Sequence, residues 1–393
     1  MNILLLTEHY KPKVGGTVSY VENISKELSK KGNHVFLLIP VSGINELAYK
    51  EKSDFLTILE LSVCKDEAGI FAPSGRSELI NWITKDLILL CNELKIEIVH
   101  LLYGLFLAGV LPTDELRSNG VKTFHTIHNI PPLECSTSWK NDRIDYYLKD
   151  ELRKYFVRLV NKRRILKNKF DGYIVPSNVV KNELHKYLGG AKIKSIAHGG
   201  AEYIDTRVLK KGQNNKLSIL TVGGIVPHKN QNQIPDISNY LRENGVDFEW
   251  NIIGPVRNKR YYAQLKKEIE RLKLEEIVFV HNNIDSKQLR QYYETSDMYI
   301  HLSTEEGFCM TVLDAISYGI PTLGRPTGAI VEMLSEVDGV ILDLKQGYLS
   351  EIINHYVKIV ESIKIEEEKL MLFKEKYTWS NAASQLMEVY SAE

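Results

Sequence analysis

Cysteine is scarce: there are four in 393 residues, at Cys64, Cys91, Cys135 and Cys309, and no two lie close together. That spacing excludes a disulfide framework and a cysteine-rich zinc site, and it fits a reducing compartment. An excess of charge is lacking as well. Fifty Lys and Arg balance fifty Asp and Glu, so the whole chain has no attraction for nucleic acid. Long apolar runs are missing too. The longest, Leu101 to Pro112, contains Gly104 and Gly109 and is too short to span a bilayer. The apolar start, Met1 to Thr7, runs straight into Glu8 and His9, which is not the pattern of a signal peptide. The expectation is a cytoplasmic protein, attached at most to the inner surface of a membrane. Short-period repeats and low-complexity segments are absent.

What is present is a chain long enough for two ordinary domains, with 44% hydrophobic residues to build their cores. The most informative stretch runs from Tyr299 to Ala315. Met298 to Leu302 reads as a buried strand. Glu305, Glu306 and Gly307 break the pattern, and from Met310 the spacing of Val312, Leu313 and Ile316 becomes helical. Gly319 and Pro321 end that helix. Backbone N–H groups at such a helix start attract anions. Glu306 precedes the turn and Asp314 follows on the helix, on the order of 12 Å away if the segment is mostly helical. Carboxylates so far apart do not share a proton or a metal. They suit hydroxyls at two ends of a long ligand, with a phosphate between them.

The rest of the chain alternates strand and helix. Asn2 to Thr7 is a strand, and Val14-Gly15-Gly16-Thr17 turns into a helix through Lys31. Gly32 ends that helix, and His34 to Pro40 returns as a strand, a βαβ opening. Ile80 to Leu94 reads as a helix, Ile96 to Leu101 as a strand, and Leu102 to Leu116 as at least partly helical. Val121 to Ile127 is a strand that delivers His128 and Asn129 to its end, where open α/β sheets carry ligand sites. Residues 141–169 read as one or two helices. The segment 140–169 holds eleven Lys and Arg against four Asp and Glu, interleaved with aromatic and aliphatic residues. Either it packs with a solvated basic face, or it meets anionic lipid. The polar stretch 205–216 is the expected linker. Beyond it, strand Leu217 to Val222 enters a second glycine turn, Gly223-Gly224, followed by Lys229. Strand Glu276 to Val280 leads to Asn283 and Ile284, and Arg325-Pro326-Thr327-Gly328 forms a later loop.

Glu306-Gly307-Phe308-Cys309, four residues, then Asp314-Ala315 resembles the Glu–seven residues–Glu motif of retaining GT-B glycosyltransferases, the large family four in particular. There the pattern is Glu-Gly-Phe-Gly, four residues, Glu-Ala. Here Cys309 stands for a glycine and Asp314 for the second glutamate. Gly15-Gly16 is similar to the family's N-terminal glycine loop, which meets the donor diphosphate. Thr126-Ile127-His128-Asn129 is similar to its strand-end His-Asp/Asn pair, with His128 favoured over His125 and His100. Gly328-Ala329-Ile330-Val331-Glu332 resembles its Gly-Gly-Ile-Pro-Glu turn. The resemblance covers essentially the whole chain and is strongest over 298–332.

The resemblance implies an α/β fold of GT-B architecture, two Rossmann-like domains with parallel sheets facing across a cleft. The expected acceptor-side domain is 1–205, joined by a C-terminal helix at 377–393. The expected nucleotide-sugar domain is 206–376. The implied reaction moves a sugar with retention from a nucleotide diphosphate sugar, UDP favoured, to a glycan or lipid-linked hydroxyl in surface polysaccharide or glycoconjugate synthesis. Glu306 would hold the sugar and Asp314 the ribose. Lys229 and the Phe308-Cys309-Met310 backbone would stabilise the leaving diphosphate, and Asn283 and Ile284 would face the base. The family places an arginine where Gly224 stands, and Arg325 is the candidate to replace that cation. The chain has no Asp-any-Asp triplet, so no cofactor and no obligatory metal are expected. Two alternatives remain: a non-catalytic GT-B subunit that binds a partner transferase or glycan, and a sugar-nucleotide epimerase.

Overall fold

The computed structural model describes all residues except 12–14, 44–45, 54, 64–72, 130–155, 157–158, 202–215, 343–348, 359, 361–364 and 393. The chain divides into two compact units. One takes in the described residues of 1–135, 152–199 and 379–393, and the other those of 200–378. The expected boundary after residue 205, and most of the basic segment 140–169, lie outside the described residues.

The first unit is built on an eight-stranded sheet. Its strands are β1 (Asn2–Thr7), β2 (His34–Ser42), β3 (Glu46–Lys52), β4 (Leu56–Val63), β5 (Ile98–Tyr103), β6 (Lys122–Thr126), β7 (Gly172–Val175) and β8 (Ile193–Ser195). They lie in the order β3-β4-β2-β1-β5-β6-β7-β8. All neighbours are parallel except the β3–β4 hairpin at one edge. Ile3, Leu4, Leu5 and Leu6 of β1 are buried, the continuous apolar run of a parallel strand covered on both faces. Each such side chain contributes about 1.5–3 kcal/mol on burial.

Helix Gly16–Lys30 buries Val18, Val21, Ile24 and Leu28 at helical spacing. Gly32, with φ +80°, lets the chain turn back into β2. The expected helix over 80–94 is two helices, Pro73–Lys85 and Leu87–Glu93. The expected helix over 102–116 is two short ones, Leu105–Ala108 and Thr113–Ser118, separated by Gly109 and Pro112. The last helix, Trp379–Ser391, packs on Gly16–Lys30. Trp379 and Tyr20 meet there edge to face, with centroids 5.8 Å apart.

The second unit has six parallel strands: β9 (Leu217–Val222), β10 (Phe248–Ile253), β11 (Val278–His281), β12 (Met298–His301), β13 (Thr322–Gly324) and β14 (Val340–Ile341). Their order is β11-β10-β9-β12-β13-β14. From β9 the chain winds outward through β10 and β11, then returns to β12 on the other side of β9. The connections therefore reverse direction between β9 and β12. In open parallel sheets such a point leaves a crevice at the strands' carboxyl ends, where ligands bind.

Candidate active site

Val222 and His301 end these two neighbouring strands, so whatever follows them is brought together. After β9 comes Gly223, whose N–H bonds the Ile253 carbonyl at 2.8 Å. A Cβ on Gly254 would come within 2.0 Å of the Gly223 carbonyl oxygen, so the two strand ends touch backbone to backbone. The chain then makes a single 3-10 turn, Pro227–Lys229. That turn is strapped to the end of β12: the His228 carbonyl accepts from Thr304 N–H at 2.8 Å and from Ser303 Oγ at 3.0 Å.

Glu306 sits at the centre of what results. It forms an ion pair with Lys229 and accepts a hydrogen bond from His301 Nε2 at 2.9 Å. The Glu306 side chain is 10% exposed and that of His301 only 2%. Burial opposes ionisation of the carboxyl, but Lys229 and His301 outweigh it and hold Glu306 well below the usual carboxylate range. Burial likewise opposes charge on His301, and Cys309 and Glu306 raise it nonetheless to about 9. Burial opposes charge on Lys229 as well, yet Glu306 keeps it raised. The cluster is therefore a carboxylate between two cations at neutral pH.

The backbone around Glu306 is fixed by close approach. Gly328 has φ +53°, and a Cβ there would come within 2.3 Å of the Glu306 carbonyl oxygen and 2.6 Å of that of Gly307. Ala329 N–H bonds the Gly307 carbonyl at 3.1 Å. Cys309 takes φ 76° and ψ 78° immediately before helix Met310–Ser317. That is a left-handed conformation natural to the glycine of the motif and disfavoured for cysteine. Cys309 Sγ lies 3.3 Å from His301 Nε2. Phe308 is buried against Tyr377, with centroids 6.1 Å apart.

The Asp314 carboxyl, on the same helix, makes no hydrogen bond or ion pair among the described residues, and burial pushes it up to about 7. Its charge is felt by the stacked rings of Tyr293 and Tyr318. A partly buried carboxylate without a donor is a group left open for a ligand's hydroxyls.

The sequence left a gap at Gly224, and the structure shows what covers it. A Cβ on Gly224 would lie 3.2 Å from Cδ and 3.3 Å from Nε of Arg257, and one on Gly223 would lie 3.6 Å from Cδ of Lys229. Two cationic side chains thus lie over the glycine pair, and sequence reasoning missed Arg257. It follows β10 by four residues, and only the folded strand order brings it to the end of β9. Arg325 lies beside β12: its N–H bonds the His301 carbonyl at 3.2 Å, and its Nε is buried without a hydrogen-bond partner. Asn283 is exposed and Ile284 half-buried in the turn after β11.

In the first unit, Gly15 precedes helix Gly16–Lys30, and its carbonyl accepts from Val18 and Ser19 N–H groups at 3.1 Å. His128 lies just past the end of β6. It bonds the Leu102 carbonyl through Nε2 at 2.8 Å and meets His198 Nε2 through Nδ1 at 3.1 Å. Burial lowers His128 to about 4, so it is neutral. His100 and His125 are deeply buried within the sheet, and His100 bonds Tyr390 and Thr126. Glu8, which composition did not mark, accepts the Leu107 N–H at 2.8 Å beneath Gly104.

Residues 14–199 match the family model described as Glycosyltransferase Family 4, and residues 206–372 match Glycosyl transferases group 1. Across 99% of its length the chain superposes on 98% of sucrose-phosphate synthase from Thermosynechococcus elongatus, with a TM-score of 0.73 at 16% identity. The fold is that of the GT-B glycosyltransferases. Anabaena HepE in complex with UDP and glucose is a second GT-B match, at TM-score 0.67 and 15% identity over 100% of this chain and 99% of that one. In sequence, the alpha-monoglucosyldiacylglycerol synthase of Streptococcus pneumoniae is 22% identical over 86% of this chain and 74% of its own. No helix among the described residues of this GT-B chain is long and apolar enough to cross a membrane.

Proposed function

We propose that the chain transfers a sugar, with retention of anomeric configuration, from a nucleotide diphosphate sugar to a hydroxyl of a glycan or lipid-linked acceptor. The observation that carries this reading is the meeting of Lys229 and Glu306 at the reversal between β9 and β12. Glu306 orients the sugar hydroxyls. Lys229, held against it, faces the diphosphate that leaves. Arg257 supplies the second cation in place of an arginine at 224, with Arg325 as the other candidate. Amide groups from Phe308 to Met310 add dipoles at the helix start. Asp314 takes the ribose, and Asn283 and Ile284 border the base. In the first unit, Gly15, Gly16 and neutral His128 are the candidates for contact with the sugar and the acceptor.

Attack by the acceptor on the same face from which the diphosphate departs gives retention, and the departing phosphate oxygen takes the acceptor's proton. No carboxylate nucleophile and no obligatory metal are then needed. UDP is the favoured carrier, in keeping with the UDP and glucose held by HepE. A lipid-linked acceptor agrees with the glucosyldiacylglycerol relative and with the basic segment 140–169, which would bring the protein to anionic lipid on the cytoplasmic face. Surface glycoconjugate synthesis is the setting this suggests.

The departures at Gly224, Cys309 and Asp314 favour a second reading, a non-catalytic subunit of the same fold. Arg257 over Gly224 weakens that case. Release of nucleoside diphosphate from a panel of nucleotide sugars, for wild type and Glu306→Gln, separates the two. Turnover lost in the variant supports transfer. A wild type that binds donors and releases nothing, with or without acceptors, supports the non-catalytic subunit.

A further inference from the structure

The side chains of His301, Glu306 and Cys309 converge on one point, which sugar transfer does not require. Their donor atoms all lie within 4.8 Å of one another. His301 Nε2 stands 2.9 Å from Glu306 Oε1 and 3.3 Å from Cys309 Sγ. Ordinary zinc bond lengths and tetrahedral angles put neighbouring N, O and S ligands roughly 3.3–3.6 Å apart. The two distances from His301 lie within about 0.5 Å of that spacing, and Glu306 and Cys309, no more than 4.8 Å apart, need at most to close by about an ångström to hold an ion. Two of them are on stiff supports. His301 ends β12 between β9 and β13, and the left-handed Cys309 backbone aims Sγ back at the imidazole. Neither residue belongs to the glycosyltransferase pattern: the motif has glycine at 309, and position 301 lies outside it.

We propose that His301, Glu306 and Cys309 form a three-ligand site for a thiophilic divalent cation, best fitted by zinc, which competes with Lys229 for Glu306. A thiolate with an imidazole and one carboxylate selects zinc over magnesium or calcium, which prefer all-oxygen shells. The carboxylate oxygen that completes the site is the one paired with Lys229. A dication there would repel the ammonium held by the same oxygen, so the ion pair and the bound metal compete. Histidine and cysteine ligate metals in their deprotonated forms, so affinity is expected to rise with pH, and three protein ligands leave a fourth position for water. If Glu306 holds the donor sugar, as proposed above, zinc is an inhibitor of this enzyme. The metal site itself does not depend on that reading.

The test uses tag-free, chelator-treated full-length chain and Co2+ as a spectroscopic stand-in for zinc. One Co2+ per chain is expected, with a thiolate-to-cobalt charge-transfer band that zinc removes. Cys309→Ser and Cys309→Gly are expected to lose the band, and His301→Gln to weaken binding on the order of tenfold or more. The Gly variant suits the left-handed backbone, and circular dichroism checks that each variant is folded. Lys229→Met, which frees Glu306, is expected to tighten binding. Absence of a thiolate band in wild type, or a band that survives in folded Cys309→Gly, overturns the site. Unchanged or weaker binding in Lys229→Met overturns the competition. None of these readings involves a nucleotide sugar, so failure here leaves the transferase reading intact.

Discussion

Asp314 offers a measurable link between burial and donor binding. Its carboxyl has no donor among the described residues, and burial raises it to about 7. Tyr293 and Tyr318 are the titratable neighbours that feel its charge, and both are themselves pushed upward by burial. Near neutrality a large fraction of the free protein therefore carries a protonated Asp314. Ribose hydroxyls donating to the carboxylate favour its ionised form, so binding a nucleoside diphosphate expels that proton. Below about pH 7 the affinity should then fall by up to tenfold per pH unit through this one group. Between pH 7 and pH 5 that is at most about 100-fold, or about 2.7 kcal/mol. UDP titrates in the same range, so the quantity to read is the difference between wild type and Asp314→Asn. Calorimetry at pH 6.5 in two buffers of different ionisation enthalpy counts the protons released. More release in wild type than in the Asn variant is expected, together with a loss of about 1.5–3 kcal/mol in UDP affinity. Equal release and equal affinity refute the ribose role. The same raised pKa has a second consequence. The stability that Asp314 contributes is full below its ordinary range and is lost as pH rises through about 7, so Asp314→Asn should flatten that decline.

Other perturbations have definite expected outcomes. Glu306→Ala removes the anion between Lys229 and His301. Breaking a buried pair costs about 3–5 kcal/mol, so the variant should lose both donor turnover and thermal stability, whereas Glu306→Gln should lose mainly turnover. A thermal melt equal to wild type for Glu306→Ala would show that the cluster is not held by this carboxylate. Gly328→Ala places a methyl against the Glu306 and Gly307 carbonyls. It should therefore lower the melting temperature and disable the site, and a silent variant would contradict the packing. Arg257→Ala should reduce turnover more than the removal of an exposed loop arginine elsewhere, and Gly224→Arg in that background should recover part of the loss. If Arg325→Ala is costly and Arg257→Ala is silent in the same assay, the second cation is Arg325.

The fold was legible wherever an element carries its own boundary signals. Leu217–Val222 and Asn2–Thr7 lie where their apolar runs and the glycine turns that follow put them. The edge hairpin β3–β4 went unread. Glu46–Lys52 carries Glu46, Lys50, Glu51 and Lys52, and its pairing is antiparallel in a chain whose other strands announce βα units. In the site, Glu306 and Asp314 stood out by spacing and residue type, and Lys229 through the resemblance alone. His301 did not, because inside a buried strand it reads as one more core position. Arg257 was invisible for another reason. Its partner Gly224 lies on a different strand end, and only the sheet order β10-β9 brings the two together. Pairings set by strand order leave no trace in local spacing.

The anomeric configuration of the product tests the central claim most directly. Once the panel has identified a donor, transfer can be followed by proton NMR at early times, before any spontaneous anomerisation. Front-face attack at the Lys229–Glu306 site predicts that an α-linked donor yields an α-linked product, with formation abolished in Glu306→Gln. A β-linked product from that donor would require attack from the opposite face with a catalytic base, and would contradict the account.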